Sequence, residues 1–182
     1  MQYRRVLYGT DIQATLKPLE RRQSVGKQSF CWKRTIEMRK ETIMQSSCAE
    51  DTFEYGRQLG LEAQPGEVYA LIGDLGTGKT VFTKGFAKGL GVEEYVNSPT
   101  FTIMQIYEEG RMPLYHFDVY RIEEPEEMEE VGLDEYLEGD GVCLIEWAER
   151  IEELLPEDMV TVKIEKDLTK GLDYRKITVS RE

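Results

Sequence analysis

Alternating runs of apolar and polar residues divide most of this chain into short helices and strands. The segment 79–90 has a helical pattern, because Phe82, Phe86 and Leu90 recur every four residues before Gly91. Along the chain, such patterns predict helices over 48–61, 79–90 and 125–137 and strands over 67–72, 102–107, 114–119, 142–145, 159–164 and 175–180. This order predicts an α/β fold whose largely parallel sheet is flanked by helices and ends in a C-terminal β-hairpin.

The turn between the strand at 67–72 and the helix at 79–90 carries the clearest chemical motif. Gly73–Thr80 reads Gly-Asp-Leu-Gly-Thr-Gly-Lys-Thr, the pattern of a phosphate-binding loop. Its glycines let backbone N–H groups turn toward an anion, which the helix N-terminus also favours. Lys79 can reach the β- and γ-phosphates, and the Thr80 hydroxyl can coordinate Mg²⁺. The motif predicts a P-loop NTPase-like fold that binds ATP and Mg²⁺.

Two carboxylates stand at the carboxyl ends of predicted strands, where α/β sheets present their ligands. Glu146 directly follows the apolar strand 142–145, and Asp118 lies late in the strand 114–119. Either acid alone could be a solvated strand end. Two of them beside a phosphate-binding loop favour function, and the position of Glu146 directly after its strand suits an acid that reaches toward Mg²⁺.

Three further segments leave two interpretations open. The Ser98-Pro99-Thr100 turn is either a switch segment that senses a γ-phosphate or a simple proline turn. Trp147 either packs on the core or lies against the nucleotide or a partner. His116 should face the same side of its strand as Asp118, and a packed, partly buried imidazole is favoured over a catalytic one.

The composition favours one domain in a reducing compartment. At 182 residues the chain can bury a real core. Cys31, Cys48 and Cys143 are odd in number and widely spaced, so neither a disulfide framework nor a zinc site is expected, and Cys143 should be a small buried hydrophobe. No apolar stretch is long enough to span a membrane, so a cytoplasmic location is the default expectation.

The net charge of −12 is unevenly distributed. Residues 1–40 contain ten basic and three acidic side chains, whereas residues 41–182 contain 13 basic and 32 acidic ones, a balance of −19. We therefore expect a basic extension over 1–43 and an ATPase domain over 44–182. The extension could be a nucleic-acid arm, a targeting peptide, or sequence upstream of the true start and without fixed structure.

The motifs and their order resemble the bacterial TsaE family, whose members are ATPases of tRNA threonylcarbamoyladenosine biosynthesis. The resemblance extends over about 47–179 and depends on the segments Gly73–Thr80, Ser98–Thr102, Tyr115–Arg121 and Leu144–Trp147. Family members begin a few dozen residues before the loop, which implies a start near Met38 or Met44. The first forty residues have no counterpart in the family pattern.

The resemblance implies a Mg²⁺-dependent ATPase that is weak alone and stimulated by TsaB-like and TsaD-like subunits, through which it contacts tRNA indirectly. It implies catalytic roles for Lys79, Asp118 and Glu146, metal binding by Thr80 and Glu146, and a switch at Ser98 and Thr100. The nucleotide-binding set that it implies comprises Glu50, Asp74, Leu75, Gly76, Thr77, Gly78, Lys79, Thr80 and Trp147.

Two other functions share the phosphate-binding loop. A small-molecule kinase would need an acceptor pocket and usually an arginine-rich lid, but the arginines after the loop are few and scattered: Arg111, Arg121, Arg150, Arg175 and Arg181. A nucleotide-gated interaction module would use ATP binding without requiring hydrolysis. The sequence does not separate this second alternative from an ATPase.

Overall fold

The computed structural model describes residues 40–181. Its helices are α1 Ala49–Glu62, α2 Lys79–Leu90, α3 Glu127–Val131 and α4 Leu133–Leu137, with short 3-10 helices at Ala148–Arg150 and Glu152–Leu154. Its strands are β1 Lys40–Ser46, β2 Val68–Ile72, β3 Met104–Tyr107, β4 Leu114–Asp118, β5 Val142–Glu146, β6 Val160–Lys166 and β7 Arg175–Arg181.

The seven strands form one sheet in the order β1-β7-β6-β2-β5-β4-β3. The four central strands, from β6 to β4, are parallel to one another. The outer pairings, β1 with β7, β7 with β6, and β3 with β4, are antiparallel. The expected α/β class and the C-terminal hairpin are present, and the sheet is parallel at its centre but mixed overall.

The central strands have apolar side chains on both faces, which is typical of buried parallel strands. On β2, Tyr69 and Leu71 join the apolar cluster that contains α2, whereas Val68 and Ala70 join a second cluster. Because successive side chains point to opposite faces, β2 contributes to two cores at once. Its carboxyl end is thereby fixed from both sides, at the point where the Gly73–Thr80 loop begins.

Helices α1 and α2 pack closely through glycines on both helices, at positions 56, 60, 85 and 89. A Cβ atom at Gly56 would collide with the Phe82 carbonyl oxygen, and one at Gly85 would collide with the Phe53 carbonyl oxygen. This close contact brings the start of α1 to the loop, where the Thr52 methyl group lies 3.7 Å from the Cβ position of Gly78.

Two expectations about the elements need correction. The helix predicted over 125–137 is two short helices, because Gly132 adopts φ 73° and caps the first of them. The strand β1 was not predicted, and the expected boundary between residues 43 and 44 falls inside it. Lys40–Ser46 pairs with Arg175–Arg181 along its whole length. The interpretations of the basic extension fall mostly on residues 1–39, outside the described residues.

Two smaller expectations concern a cysteine and the membrane. Cys143 is buried as expected, its thiol contacts the Tyr136 carbonyl oxygen at 3.2 Å, and burial raises its pKa to about 12. Over residues 40–181, no helix combines the length and the apolar character that a membrane crossing would require.

Candidate functional site

The loop between β2 and α2 is built around three glycines in the left-handed region. Gly73 has φ 151°, Gly76 has φ 71° and Gly78 has φ 106°, conformations that side chains with a Cβ rarely adopt. The Asp74 carbonyl oxygen accepts hydrogen bonds from the Thr77 amide at 3.3 Å and the Thr77 hydroxyl at 2.9 Å. The loop therefore closes on itself in front of the first turn of α2, whose leading N–H groups have no intrahelical acceptor.

Two basic side chains of the β6–β7 hairpin hold the outer side of this loop. Lys166 Nζ donates to the Leu75 carbonyl oxygen at 2.9 Å, and Arg175 Nε donates to the Thr77 carbonyl oxygen at 2.8 Å. Lys166 and Arg175 are paired across the hairpin. The sequence analysis predicted this hairpin but not its contact with the loop, because that contact depends on β6 lying next to β2.

Lys79, the first residue of α2, has a buried side chain that folds back over the loop. Its amine donates to the Gly73 and Asp74 carbonyl oxygens, the latter at 3.1 Å, and lies 3.5 Å from the centre of the Trp147 ring. Burial lowers the pKa of Lys79, and nearby carboxylates, Glu146 foremost among them, act in the opposite direction. The site thus contains a partly desolvated cation beside several acids.

Glu146 ends β5 and is almost completely buried, at 2% exposure. Its Oε2 accepts from the Thr80 hydroxyl at 3.1 Å, and its Oε1 accepts from the Thr83 hydroxyl at 3.1 Å. His116 Nε2 lies 3.1 Å from the same Oε1, and since an ionised carboxylate only accepts, the imidazole is the donor. The predicted proximity of Glu146 to Thr80 is therefore observed.

Asp118 ends β4 and contacts the 98–100 turn. Its Oδ2 accepts from the Ser98 hydroxyl and from the Thr100 hydroxyl, the latter at 2.8 Å. Its Oδ1 accepts from the Tyr120 amide at 3.1 Å. Asp118 also pairs with Glu146 in the register of β4 and β5, so the two acids stand side by side at the same edge of the sheet.

Trp147 directly precedes the 3-10 helix that follows β5 and has a left-handed backbone, with φ 65°. Its amide donates to the Leu71 carbonyl oxygen at 3.0 Å. One side of the ring faces the Lys79 amine, and the Tyr120 ring centre lies 4.8 Å away. Trp147 also packs against the second apolar cluster, as the first interpretation expected, and a contact with a nucleotide or a partner stays a prediction.

Some predicted residues lie away from this cluster, and some contacts were not predicted. Glu50 is exposed in the first turn of α1, and among the described residues no hydrogen bond joins it to the loop. His116 is fully buried, more than the partly buried imidazole that was expected, and its Nδ1 has no hydrogen-bond partner within 40–181. Thr83 was missed, although it lies one helical turn beyond Lys79.

Comparisons with known proteins identify the family of this chain. The sequence profile of the family described as "Threonylcarbamoyl adenosine biosynthesis protein TsaE" matches residues 46–177. The tRNA threonylcarbamoyladenosine biosynthesis protein TsaE of Bacillus subtilis (strain 168) is 53% identical over 129 residues, which are 71% of this chain and 78% of that protein. The protein of the same name from Treponema pallidum (strain Nichols) is 44% identical over 135 residues, which are 74% of this chain and 97% of that protein.

The fold has a similar solved structure. The crystal structure of Bacillus subtilis YdiB has a TM-score of 0.68 and 43% sequence identity to this chain, covering 80% of this chain and 88% of that one. The family profile covers well over half of the chain, and the resemblance inferred from its motifs is thereby confirmed. This chain belongs to the TsaE family of threonylcarbamoyl adenosine biosynthesis proteins.

Proposed function

We propose that this chain is a Mg²⁺-dependent ATPase that supports the threonylcarbamoyl transferase complex in modifying the adenosine next to the tRNA anticodon. The observation that carries this proposal is the contact between Thr80 and Glu146. A hydroxyl at the start of α2 and a carboxylate at the end of β5 meet at 3.1 Å directly behind a glycine-rich loop. These are the two protein groups that a P-loop ATPase needs on its metal side.

The residues present fit ATP and Mg²⁺. The loop glycines and the first turn of α2 offer backbone N–H donors to phosphate oxygens, and Lys79 offers positive charge. Mg²⁺ prefers oxygen ligands and usually keeps several waters, so Thr80 and Glu146 are a sufficient protein contribution. When bound, Mg²⁺-ATP would supply the phosphoanhydride bond whose hydrolysis releases energy to the partner complex.

Asp118 would act on water rather than on the metal. Its carboxylate already accepts two hydroxyl hydrogen bonds from Ser98 and Thr100, so it can orient a water and also respond to movement of that turn. Lys79 would neutralise phosphate charge, and its desolvated surroundings strengthen that interaction. Trp147 would close the side of the site next to Lys79.

The charge of the described domain supports an indirect role with tRNA. Residues 41–182 carry a balance of −19, and a surface so acidic repels RNA phosphates. We therefore assign tRNA contact to TsaB-like and TsaD-like partner subunits, which this chain would bind and assist. The family membership supports a role in threonylcarbamoyladenosine biosynthesis, and the acidic charge supports tRNA contact through the partner subunits.

Phosphate release tests the proposal directly. We expect slow hydrolysis of ATP by the isolated chain and faster hydrolysis with the TsaB-like and TsaD-like pair, at matched Mg²⁺ and salt. A stimulating group from a partner can contribute roughly 10³–10⁵-fold in P-loop enzymes. Lys79→Ala should stop both the stimulated hydrolysis and tRNA modification. Lys88→Ala, an exposed lysine on the same helix, is the matched control and should leave both unchanged.

The same assay separates the alternatives. A small-molecule kinase would transfer phosphate to an added acceptor instead of releasing it, and a nucleotide-gated module would bind its partners equally well with a non-hydrolysable ATP analogue. Four of the five arginines after the loop make structural hydrogen bonds, which leaves little for a kinase lid: Arg111, Arg150, Arg175 and Arg181. If tRNA modification were complete with the analogue, hydrolysis would not be required, and the nucleotide-gated module would be the correct function instead of the ATPase.

A further inference from the structure

An open cavity of about 560 Å³ lies next to the 98–100 turn that contacts Asp118. It is lined by Thr100, Phe101, Tyr120, Arg121, Glu123 and Arg150. We propose that this cavity docks an acidic side chain from an exposed segment of a partner protein, with the Arg121 guanidinium as its receptor and Phe101 as the apolar contact.

In the part of the chain that the structure describes, Arg121 is an arginine whose guanidinium holds no other segment in place. Arg150, on the other side of the cavity, donates to the Ile122 carbonyl oxygen at 3.0 Å. Arg121 is exposed, and among residues 40–181 it forms no hydrogen bond or ion pair; its guanidinium lies 5.1 Å from the Phe101 ring centre. A guanidinium that lies over a ring keeps N–H groups available, and these match the two oxygens of a carboxylate.

Phe101 is 86% exposed, which is unusual for a large aromatic side chain. It lies in the irregular segment before β3, not in an element whose packing would hold it outside. Aromatic residues and arginines are the side chains that dominate binding energy at protein interfaces. An exposed Phe–Arg pair at the rim of a cavity therefore indicates a contact surface.

The surrounding charge favours a protein carboxylate over RNA. Two guanidiniums and one carboxylate, that of Glu123, line the cavity, so a single acidic side chain is matched in charge. An RNA strand would instead bring successive phosphates along the glutamate-rich segment that begins at Glu123 and against a domain with a balance of −19. A local acid fits here, whereas an extended polyanion does not.

Two walls of the cavity are direct neighbours of the proposed nucleotide site. Thr100 donates to Asp118 at 2.8 Å, and the Tyr120 ring packs at a tilt against Trp147, whose ring contacts the Lys79 amine. A shift of Lys79 or of the 98–100 turn would therefore change the cavity. This inference rests on the proposed function in one respect: the partner is expected to bind more tightly when ATP occupies the site.

The test measures binding of the TsaB-like and TsaD-like pair to the full chain, with Mg²⁺ and a non-hydrolysable ATP analogue. Arg121→Gln and Phe101→Ala should each raise the Kd about tenfold, while Arg121→Lys should be intermediate because it keeps the charge but loses the planar fork. The matched controls are Lys84→Gln and Tyr95→Ala, a second cation–aromatic pair whose aromatic ring is exposed, and these variants should bind like the wild type. Equal Kd values for all variants would overturn the inference.

Site-specific cross-linking identifies the occupant. A photoreactive phenylalanine analogue at position 101 should label a partner peptide that contains Asp or Glu; a label on added tRNA, or on a peptide without acids, would overturn the inference. ATP binding by each variant is measured in parallel and should be unchanged. If the wild type binds ATP and the partner pair but the Arg121 and Phe101 variants bind the pair as tightly, the docking inference fails alone. If the wild type does not bind the pair, the proposed partnership fails, and if it does not bind ATP, the proposed nucleotide function fails.

Discussion

Glu146 and Asp118 are neighbours with closely matched hydrogen bonding. Each ends a parallel strand, the two pair in register, and each accepts two side-chain hydroxyl hydrogen bonds. They differ in where the hydroxyls come from. Thr80 and Thr83 belong to the first turns of α2, whereas the donors to Asp118 belong to the irregular segment between α2 and β3.

Because their hydroxyl donors come from different elements, Glu146 has fixed surroundings and Asp118 has adjustable ones. Helix α2 is packed against α1 and within the first apolar cluster, so the surroundings of Glu146 cannot move without moving the helix. The 98–103 segment is a turn with a left-handed residue, Ile103 at φ 66°, and it is tied to β4 through the Asp118 amide and side chain. A fixed carboxylate suits a metal ligand, and an adjustable one suits a link between nucleotide and turn.

The largest expected difference between the two acids is in stability. Glu146→Ala would leave the fully buried His116 imidazole without its acceptor, whereas the Thr83 hydroxyl would keep the Lys79 carbonyl oxygen at 3.0 Å, and the free energy of unfolding should fall by about 3 kcal/mol. Asp118→Ala would leave the Ser98 and Thr100 hydroxyls without this acceptor. Because both residues are half-buried and can reach water, the free energy of unfolding should fall by only about 1–2 kcal/mol.

Urea unfolding of both alanine variants measures this difference. The exposed neighbour Glu149 provides the control, because Glu149→Ala should change the free energy of unfolding by less than about 0.5 kcal/mol. Equal losses at Glu146 and Asp118 would mean that both carboxylates are held with the same rigidity, and the distinction between a fixed and an adjustable acid would be lost.

The second difference is in the metal requirement. Glu146→Gln should raise the Mg²⁺ concentration that tight ATP binding needs by about tenfold, since an amide is a poorer ligand for a hard cation than a carboxylate. Asp118→Asn should leave that requirement unchanged. A titration of Mg²⁺ at fixed fluorescent ATP analogue measures both. If only Asp118→Asn shifts the requirement, the two roles must be exchanged.

The elements that carry the two acids also show which features the sequence alone can predict. Short-range patterns predicted the same bounds of α2 that the structure has, and they predicted that Glu146 comes at the end of an apolar strand. Strand β1 was missed because its register is set by β7, more than a hundred residues away, and edge strands depend on such partners. At Gly132 the pattern could not distinguish a tolerated glycine from a helix cap.

The contacts around the site show the same limit. Motif spacing predicted Lys79 and Thr80, because their tasks are encoded within one loop and one helical turn. Thr83, Lys166 and Arg175 contact the site from outside the motif, and their contribution depends on strand order and helix packing that no local pattern contains. The sequence therefore predicted the position of the loop residues better than the contacts that support the loop.

The third difference is in turnover. Asp118→Asn should keep ATP affinity but lower partner-stimulated hydrolysis and tRNA modification by about a hundredfold, because an amide is a poor base for orienting and deprotonating water. Phosphate release and tRNA modification are measured with the same enzyme sample, and Asp134→Asn, an exposed acid in α4, serves as the control. Unchanged turnover with normal ATP affinity would remove Asp118 from the hydrolytic step.

The smallest expected effects come from the hydroxyl donors to Asp118. Ser98 and Thr100 both donate to Oδ2 and lie 2.8 Å from each other, so either hydroxyl can hold the carboxylate when the other is absent. Ser98→Ala and Thr100→Val should each lower stimulated hydrolysis by less than about threefold, whereas the double variant should approach Asp118→Asn, a non-additive result. Purely additive rates would show that the two hydroxyls act independently, and the turn would then not be coupled to Asp118 as one unit.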